Sequence, residues 1–190
     1  GVEVARLGTD KWAISVRGFN GRFANKLQVL MDGRSVYTPL FSGVIWSQQD
    51  TFMEDIERIE VIRGPGATVW GANAVNGVIN IITKKAADTQ GTLLTGGGGS
   101  FERGFVGVRY GGKLNEETPF RVYAKAFSRD PMHSLSGVSV RDDWQSARAG
   151  FRLDHSRGID QLTVQGDVFI NSIGDSLLQP ALTAPFTRLD

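Results

Sequence analysis

The sequence predicts two regions of different fold class. Residues 1–85 are predicted to form an α+β unit, a small mixed sheet with short helices, and residues 86–190 to form long antiparallel strands. In the first region, short alternating segments are separated by glycine- and proline-containing breaks. In the second, alternation is longer and more regular, and each segment has one apolar and one charged face.

Composition excludes several classes of function. The 21 basic and 20 acidic residues leave a net charge of +1, which gives no reason to expect nucleic acid as a partner. Cysteine is absent and only two histidines occur, so neither a metal site nor a resident cofactor is predicted. The 24 glycines exceed the usual share of about 7%, and this excess predicts turns and close backbone contacts.

The α+β unit begins with alternating segments at residues 12–19 and 26–32. Asp32-Gly33 follows the second segment and precedes another short run, residues 34–37. An Asp-Gly pair between two such runs predicts a β-hairpin, because both turn residues must take positive φ.

A loop is predicted at residues 38–49, followed by a short helix at residues 51–55 with Asp50 as its N-cap. Residues 56–62 alternate again and predict a further strand. Besides the short run at residues 34–37, the unit therefore has four strand-like segments, of which the last is predicted at residues 77–83.

A glycine-rich, uncharged stretch joins those last two strands. Arg63-Gly64-Pro65-Gly66 interrupts regular structure, because Pro65 lacks an N–H and restricts the residue before it. Residues 67–75 allow only a short helical turn. Residues 64–83 are long enough to span a bilayer, but their glycines, proline and asparagines argue against a membrane helix. A phosphate-binding loop is disfavoured because no Gly-Lys-Ser/Thr ends the stretch.

Five long strands are predicted in the second region, each with an apolar and a polar face. They are residues 90–97, 103–112, 119–129, 144–154 and 161–172. Such faces suit transmembrane β-barrel strands, with lipid outside and a polar lumen inside. They also suit a soluble sheet with one packed and one wet face, and alternation alone favours that soluble sheet.

Three segments, in order, resemble the plug domain of TonB-dependent outer-membrane receptors. They are SVRGF, LQVLMDGRSVY and IERIEVIRGPGATVWGANAVNGVINIITK. The resemblance implies that residues 1–85 form a plug without its usual opening, which includes the TonB box. No signal peptide is recognised at the start. Residues 86–190 would supply about five barrel strands, an incomplete barrel, since members of the family have about 22.

The same resemblance implies two sets of site residues. Arg17 and Arg63 correspond to plug arginines that pair with barrel-wall glutamates and lock the plug; alternatively, both are ordinary exposed arginines. The second set lies in loops corresponding to the plug apices that face the ligand, or that contact the wall instead. These apical residues are Arg22, Phe23, Tyr37, Phe41 and Trp46.

The function implied by the resemblance is import across the outer membrane. The cargo would be a scarce metal chelate such as a ferric siderophore, haem or cobalamin, with outer-membrane lipid around the wall and the TonB complex as energy source. No catalytic motif occurs, so an enzyme is not predicted. A non-transporting β-rich binding or adhesin module is the alternative, although it would not explain the order of the three segments.

Overall fold

The computed structural model describes residues 1–18, 21–133 and 141–175, together with the backbone of two short strands nearer the C-terminus. Those two strands, β12 (Leu177–Gln179) and β13 (Thr187–Leu189), pair antiparallel with each other. Position 19 of the first predicted strand, and much of the loop after residue 130, lie outside the described residues. Within the described part of the chain, none of the helices has the length and apolar character needed to cross a membrane.

A four-stranded mixed sheet forms the centre of the α+β unit, in the order β4-β3-β6-β5. Strand β3 (Leu27–Met31) turns into β4 (Arg34–Ser35) through Asp32 and Gly33. Both turn residues have positive φ, 48° and 81°, so the predicted hairpin is confirmed.

Strand β6 (Gly77–Thr83) is the inner strand that holds this sheet together. It pairs parallel with β3 and antiparallel with β5 (Ile56–Arg63). Because β6 has a neighbour on each side, nearly all of its residues are buried. A Cβ placed on Gly77 would lie 2.6 Å from the carbonyl oxygen of Ile62, so only glycine allows this strand contact.

The core of the unit is an apolar cluster on one face of the sheet. It gathers side chains from the sheet, from strand β2 (Trp12–Val16) and from the loop before β5. The buried members are Val16, Leu27, Val29, Val36, Val44, Ile79 and Ile81.

Two local predictions for this unit were wrong. Strand β2 does not join the mixed sheet but pairs with β1 (Val2–Arg6), a strand that was not predicted. Asp50 does not cap a helix, because residues 51–55 form only a 3₁₀ turn (Met53–Asp55), whose N-cap is Phe52 and which no side chain caps. The short helical turn predicted within residues 67–75 is confirmed: helix α1 (Ala67–Trp70) is a single turn that ends at Gly71, whose φ is 102°.

The second region forms one antiparallel sheet in which the strands follow chain order, β7-β8-β9-β10-β11. A 3₁₀ turn (Ala86–Thr89) leads into it. The predicted strands are all present, and several extend further into their turns. They are β7 (Gly91–Gly97), β8 (Glu102–Asn115), β9 (Thr118–Arg129), β10 (Trp144–Arg157) and β11 (Asp160–Ile173).

This sheet, which we call the wall, has β7 and β11 as its edge strands among the residues that the structure describes, and it has two opposite faces. Its outer face exposes apolar side chains: Leu94, Val168 and Ile170 are 73%, 72% and 78% exposed. Its inner face is charged, yet Arg121 and Arg148 are only 5% and 7% exposed, because this face packs against the α+β unit. Along β9 and β10 the polar side of the wall is therefore the buried side.

Candidate functional site

The interface between the wall and the α+β unit is held by charged side chains of opposite sign. The α+β unit contributes an acidic row, defined as Asp32, Asp50 and Asp55. Strands β8, β9 and β10 contribute a cationic row, which consists of Arg109, Arg121, Lys125, Arg148 and Arg152. The period of two along each strand places these long cations on one face.

Asp55 is the most buried acid of the row, with its side chain 2% exposed. One carboxylate oxygen accepts a hydrogen bond from Nη1 of Arg109 at 2.5 Å. The other lies 3.2 Å from Nε of Arg121, an ion pair without hydrogen-bond geometry. Arg121 also donates to the carbonyl oxygen of Lys84 at 2.6 Å and to Oγ1 of Thr83 at 3.1 Å.

Asp32, at the turn between β3 and β4, connects the end of β6 to the wall. Its carboxylate accepts hydrogen bonds from the backbone N–H and from Oγ1 of Thr83, both at 2.8 Å. On the wall side it accepts a hydrogen bond from Gln165 at 3.2 Å and lies 3.7 Å from Arg152. The turn that the sequence predicted therefore also serves as a docking point.

The loop between β4 and β5 contacts the wall further along the strands. Lys125 pairs with Asp50 at 2.9 Å and donates to the carbonyl oxygen of Thr51 at 3.1 Å. Arg148 donates to the carbonyl oxygen of Gln48 at 2.5 Å, and it also pairs with Asp167 on β11.

A cavity of about 430 Å³ lies between these contacts. It is bounded by the β3–β4 turn and the β4–β5 loop on one side, and by strands β9, β10 and β11 on the other. Its charged lining residues are Asp32, Arg34, Arg121, Arg148, Arg152 and Asp167. Because the lining is strongly polar, the two regions do not meet through a continuous dry core.

Part of the predicted apical set forms one aromatic cluster. The rings of Phe23 and Phe41 stack with centroids 5.3 Å apart and an interplanar angle of 14°. The guanidinium of Arg22 lies 5.2 Å from the Phe23 ring centroid. Gly43 allows the two loops to meet, since a Cβ there would lie 2.9 Å from Cα of Phe23. Phe41 remains 53% exposed, so the cluster presents an apolar surface.

The other two predicted apical residues lie differently. Trp46 is half-buried and packs against the core, and it shares the lining of a 20 Å³ cavity with Arg22 and Phe23. Tyr37 is also half-buried, and its backbone N–H donates to Oγ of Ser35 at 3.4 Å. We define the apical cluster as Arg22, Phe23 and Phe41, because these three are in direct contact.

Asp10 and Lys11 line the same small cavity beside the apical cluster. Burial raises the pKa of the Asp10 carboxyl above its ordinary value, and the nearby charges of Lys11 and Arg22 oppose this rise. Oδ1 of Asp10 is buried and has no hydrogen-bond partner among the residues that the structure describes.

The guanidinium of Arg17 lies near Gly64, the residue that follows Arg63. Arg17, with φ of 60°, directly follows β2, and Arg63 is the last residue of β5; both are exposed. A Cβ placed on Gly64 would lie 3.7 Å from Nη1 of Arg17. Neither guanidinium pairs with a carboxylate within residues 1–18, 21–133 and 141–175.

Comparison with known proteins identifies the family. Residues 1–78 match the sequence model of the TonB-dependent Receptor Plug Domain. The vitamin B12 transporter BtuB of Vibrio cholerae is 30% identical over 156 residues, which are 82% of this chain and 24% of the transporter. The chain belongs to the TonB-dependent receptor family.

Two further similarities agree with this assignment. The ferric enterobactin receptor of Pseudomonas aeruginosa is 38% identical over 99 residues, 48% of this chain and 12% of that receptor. The pyoverdine receptor FpvA of Pseudomonas aeruginosa has the same fold, with a TM-score of 0.66 at 22% identity over 90% of this chain and 24% of FpvA. The chain spans about a quarter or less of the length of these relatives.

Family membership explains why the wall exposes its apolar face and packs its charged face against the α+β unit. TonB-dependent receptors are outer-membrane proteins, and the chain is part of a protein of that membrane. The α+β unit has the fold of their plug, and the wall matches strands of their barrel. The soluble-sheet alternative for the second half is not supported, since the exposed apolar face is the face that lipid would cover.

Sequence reasoning missed the acidic and cationic rows of this receptor. It considered only arginines of the plug, whereas the contacts within this chain run from wall cations to plug carboxylates. A signal was present: Arg121 and Lys125, and likewise Arg148 and Arg152, recur every fourth residue on the polar face. Metal ligation is a separate matter, and the described residues contain no cluster of three or more His, Cys, Asp or Glu side chains.

Proposed function

We propose that the chain is the plug and first wall strands of a receptor that imports a metal chelate across the outer membrane. The observation that carries this proposal is the wall, whose charged face is buried on the plug while its apolar face is exposed. Such a wall suits a lumen that is closed by a plug and surrounded by lipid. Residues 1–85 would be the plug domain and residues 86–190 the start of the barrel.

The apical cluster supports a large, partly apolar cargo. Phe23 and Phe41 form a stacked aromatic surface, and Leu40 next to them is 85% exposed. Rigid aromatic faces beside one cation suit a chelate that carries a metal in an organic shell. Two relatives are named for vitamin B12 and ferric enterobactin. The proposed cargo is therefore a ferric siderophore, haem or cobalamin, bound by the apical cluster with Tyr37 and Trp46 behind it.

The proposed mechanism needs no covalent chemistry. Cargo binding at the apical cluster would shift the plug, and the TonB complex would then supply the work that opens a path. Arg17 and Arg63 are proposed to lock the plug through carboxylates of wall strands outside this chain. Both residues are exposed, which leaves their guanidiniums accessible to such partners.

A binding titration tests the proposal. The full-length receptor that carries this segment is reconstituted in outer-membrane-like vesicles, and its tryptophan fluorescence is titrated with ferric siderophores, haem and cobalamin. We expect one ligand to quench the fluorescence, and Phe41→Ala to weaken that binding roughly 10-fold or more through loss of an aromatic contact. Val69→Ala is the control, because Val69 is also exposed, at 77% against 53% for Phe41, but belongs to helix α1.

The result that would overturn the proposal is specific. If no chelate binds, or if Phe41→Ala and Val69→Ala bind equally well, the apical cluster is not the cargo site. A protein that binds none of them and stays dispersed without detergent would favour the adhesin-like module.

A further inference from the structure

We propose that Asp55 is a positioning residue that anchors the plug in the wall, at the point where the chain passes from one to the other. This anchor is the trio of Asp55, Arg109 and Arg121. It differs from the proposed lock at Arg17 and Arg63 in its residues and in which side carries which charge. In the anchor the carboxylate belongs to the plug and the cations belong to the wall, whereas the proposed lock has its cations on the plug. The inference rests on the proposed plug-and-wall function but not on the identity of the cargo.

All three side chains of the anchor are buried or nearly so. The side chains of Asp55, Arg109 and Arg121 are 2%, 12% and 5% exposed. Surface ion pairs are screened and contribute little, whereas a buried pair that loses one partner leaves an uncompensated charge. Among the plug–wall ion pairs, the pairs at Asp55 have the least exposed carboxylate; Asp50 is 23% exposed and Asp32 14%.

Arg109 depends on Asp55 for its counter-charge more than Arg121 does. Arg121 has other acceptors, the carbonyl oxygen of Lys84 and Oγ1 of Thr83. Arg109 has only Asp55 as a carboxylate partner in the described part of the chain, and its Nε is buried without a hydrogen-bond partner. Removal of the Asp55 charge would therefore leave Arg109 buried with no counter-charge, at a cost that the native contact avoids.

The anchor lies where the chain leaves the plug and enters the wall. The backbone carbonyl of Asp55 accepts the N–H of Lys84 at 2.8 Å, so the trio lies at the end of β6. Directly after β6, Asp154 of the wall accepts the N–H of Ala86 at 2.7 Å. Both contacts hold the plug at its covalent connection to the wall. The apical cluster and the proposed lock at Arg17 and Arg63 belong to other segments of the plug.

The test is passive leakage through the full-length receptor in vesicles loaded with calcein, measured without TonB and without cargo. We expect Asp55→Asn to raise the leak rate on the order of 10- to 100-fold, because the plug is less firmly seated. Asp88→Asn is the matched control, since Asp88 is an exposed acid in the 3₁₀ turn that follows the plug. It should leak at the wild-type rate.

A double variant makes the test specific to the charge. Asp55→Asn with Arg109→Met removes the stranded cation together with its partner, so its leak rate should return toward wild type rather than multiply. Additive effects, or an Asp55→Asn leak equal to that of Asp88→Asn, would overturn the anchor. If Asp55→Asn fails to insert, Arg109→Gln replaces it; a severalfold leak supports the anchor and a wild-type leak overturns it.

The leak assay is independent of the proposed import. A receptor that leaks as predicted but binds no chelate retains the anchor and loses the import function. One that binds a chelate but shows no difference between Asp55→Asn and Asp88→Asn retains the import function and loses the anchor.

Discussion

Strands of the plug and strands of the wall both alternate apolar and polar residues, but the plug buries its apolar residues and the wall exposes them. In the plug sheet, the apolar residues of β3 and β6 are buried in a core, as Leu27 and Ile79 are at 3% and 6% exposure. In the wall, the apolar residues of β11 face outward, and Val168 and Ile170 are 72% and 78% exposed. Alternation defines two faces, but the surroundings decide which face is buried.

The difference also explains how the two regions join. A conventional pair of domains would meet through apolar surface, but here the wall offers cations and the plug offers carboxylates. Such an interface can separate without exposing a large apolar area to water, at the cost of partners that must be matched in place. A plug that has to move within a barrel benefits from contacts of this kind.

The largest expected effect is a truncation that should matter in the plug and not on the wall. Leu27→Ala removes a buried side chain from the plug core and should lower the free energy of unfolding by about 2–5 kcal/mol. Leu94→Ala, on the exposed outer face, should cost at most about 1 kcal/mol. Urea unfolding of both variants in detergent checks this, and equal losses would break the comparison.

A lysine on an exposed position should destabilise the wall more than the plug. Val168→Lys on the wall should cost about 2–4 kcal/mol in a bilayer, because a cation on the lipid face must leave water. Val69 and Val168 are similarly exposed, at 77% and 72%. Val69→Lys in helix α1 should nevertheless change stability by only about 0.5 kcal/mol or less. The measurement is reversible folding into lipid vesicles. Tolerance of Val168→Lys would show that water, not lipid, covers the outer face.

A smaller effect is expected where the two regions share a hydroxyl. Oγ1 of Thr83 donates to Asp32 at 2.8 Å and accepts hydrogen bonds from Arg121 at 3.1 Å and Arg152 at 3.0 Å. Thr83→Val keeps the shape and removes these bonds, at about 1–3 kcal/mol. Thr92→Val, on an exposed position of β7, is the control. Equal melting temperatures would mean that this contact does not stabilise the docking of plug and wall.

The smallest effect concerns Asp10, whose raised pKa makes the plug sensitive to pH. Because the folded state favours the protonated carboxyl, its contribution is fully present below the ordinary value of 3.8 and is lost as pH rises through the folded-state pKa. Asp10→Asn should therefore gain stability over the wild type as pH is raised. Thermal unfolding at a series of pH values checks the sign, and the opposite trend would refute the burial of this carboxyl.

Local signals predicted much of the fold, and long-range contacts accounted for what was missed. The hairpin at Asp32-Gly33 and the strands of the wall follow from neighbouring residues, through turn chemistry and period-two alternation. The pairing of β1 with β2 did not, because five residues of VEVAR form a strand only when a partner is present.

The candidate site divides in the same way. The apical loops were predicted from the resemblance to the plug domain, and within them Phe23 and Phe41 do meet. The contact of Arg109 with Asp55 joins residues 54 positions apart in the sequence and depends on how the plug seats in the wall. Nothing in either segment alone marks that pairing.

The central claim is that the apolar face of the wall meets lipid and its polar face meets the plug. This chain contains no cysteine. Single-cysteine variants along β11, made in a receptor from which any cysteine outside this chain has been removed, can each carry one spin label in the bilayer. We expect labels at Leu162, Val164, Val168 and Ile170 to collide with oxygen, and labels at Thr163, Gln165 and Asp167 to be shielded from it. A water-soluble nickel chelate reaching the first set, or no alternation along β11, would contradict the account.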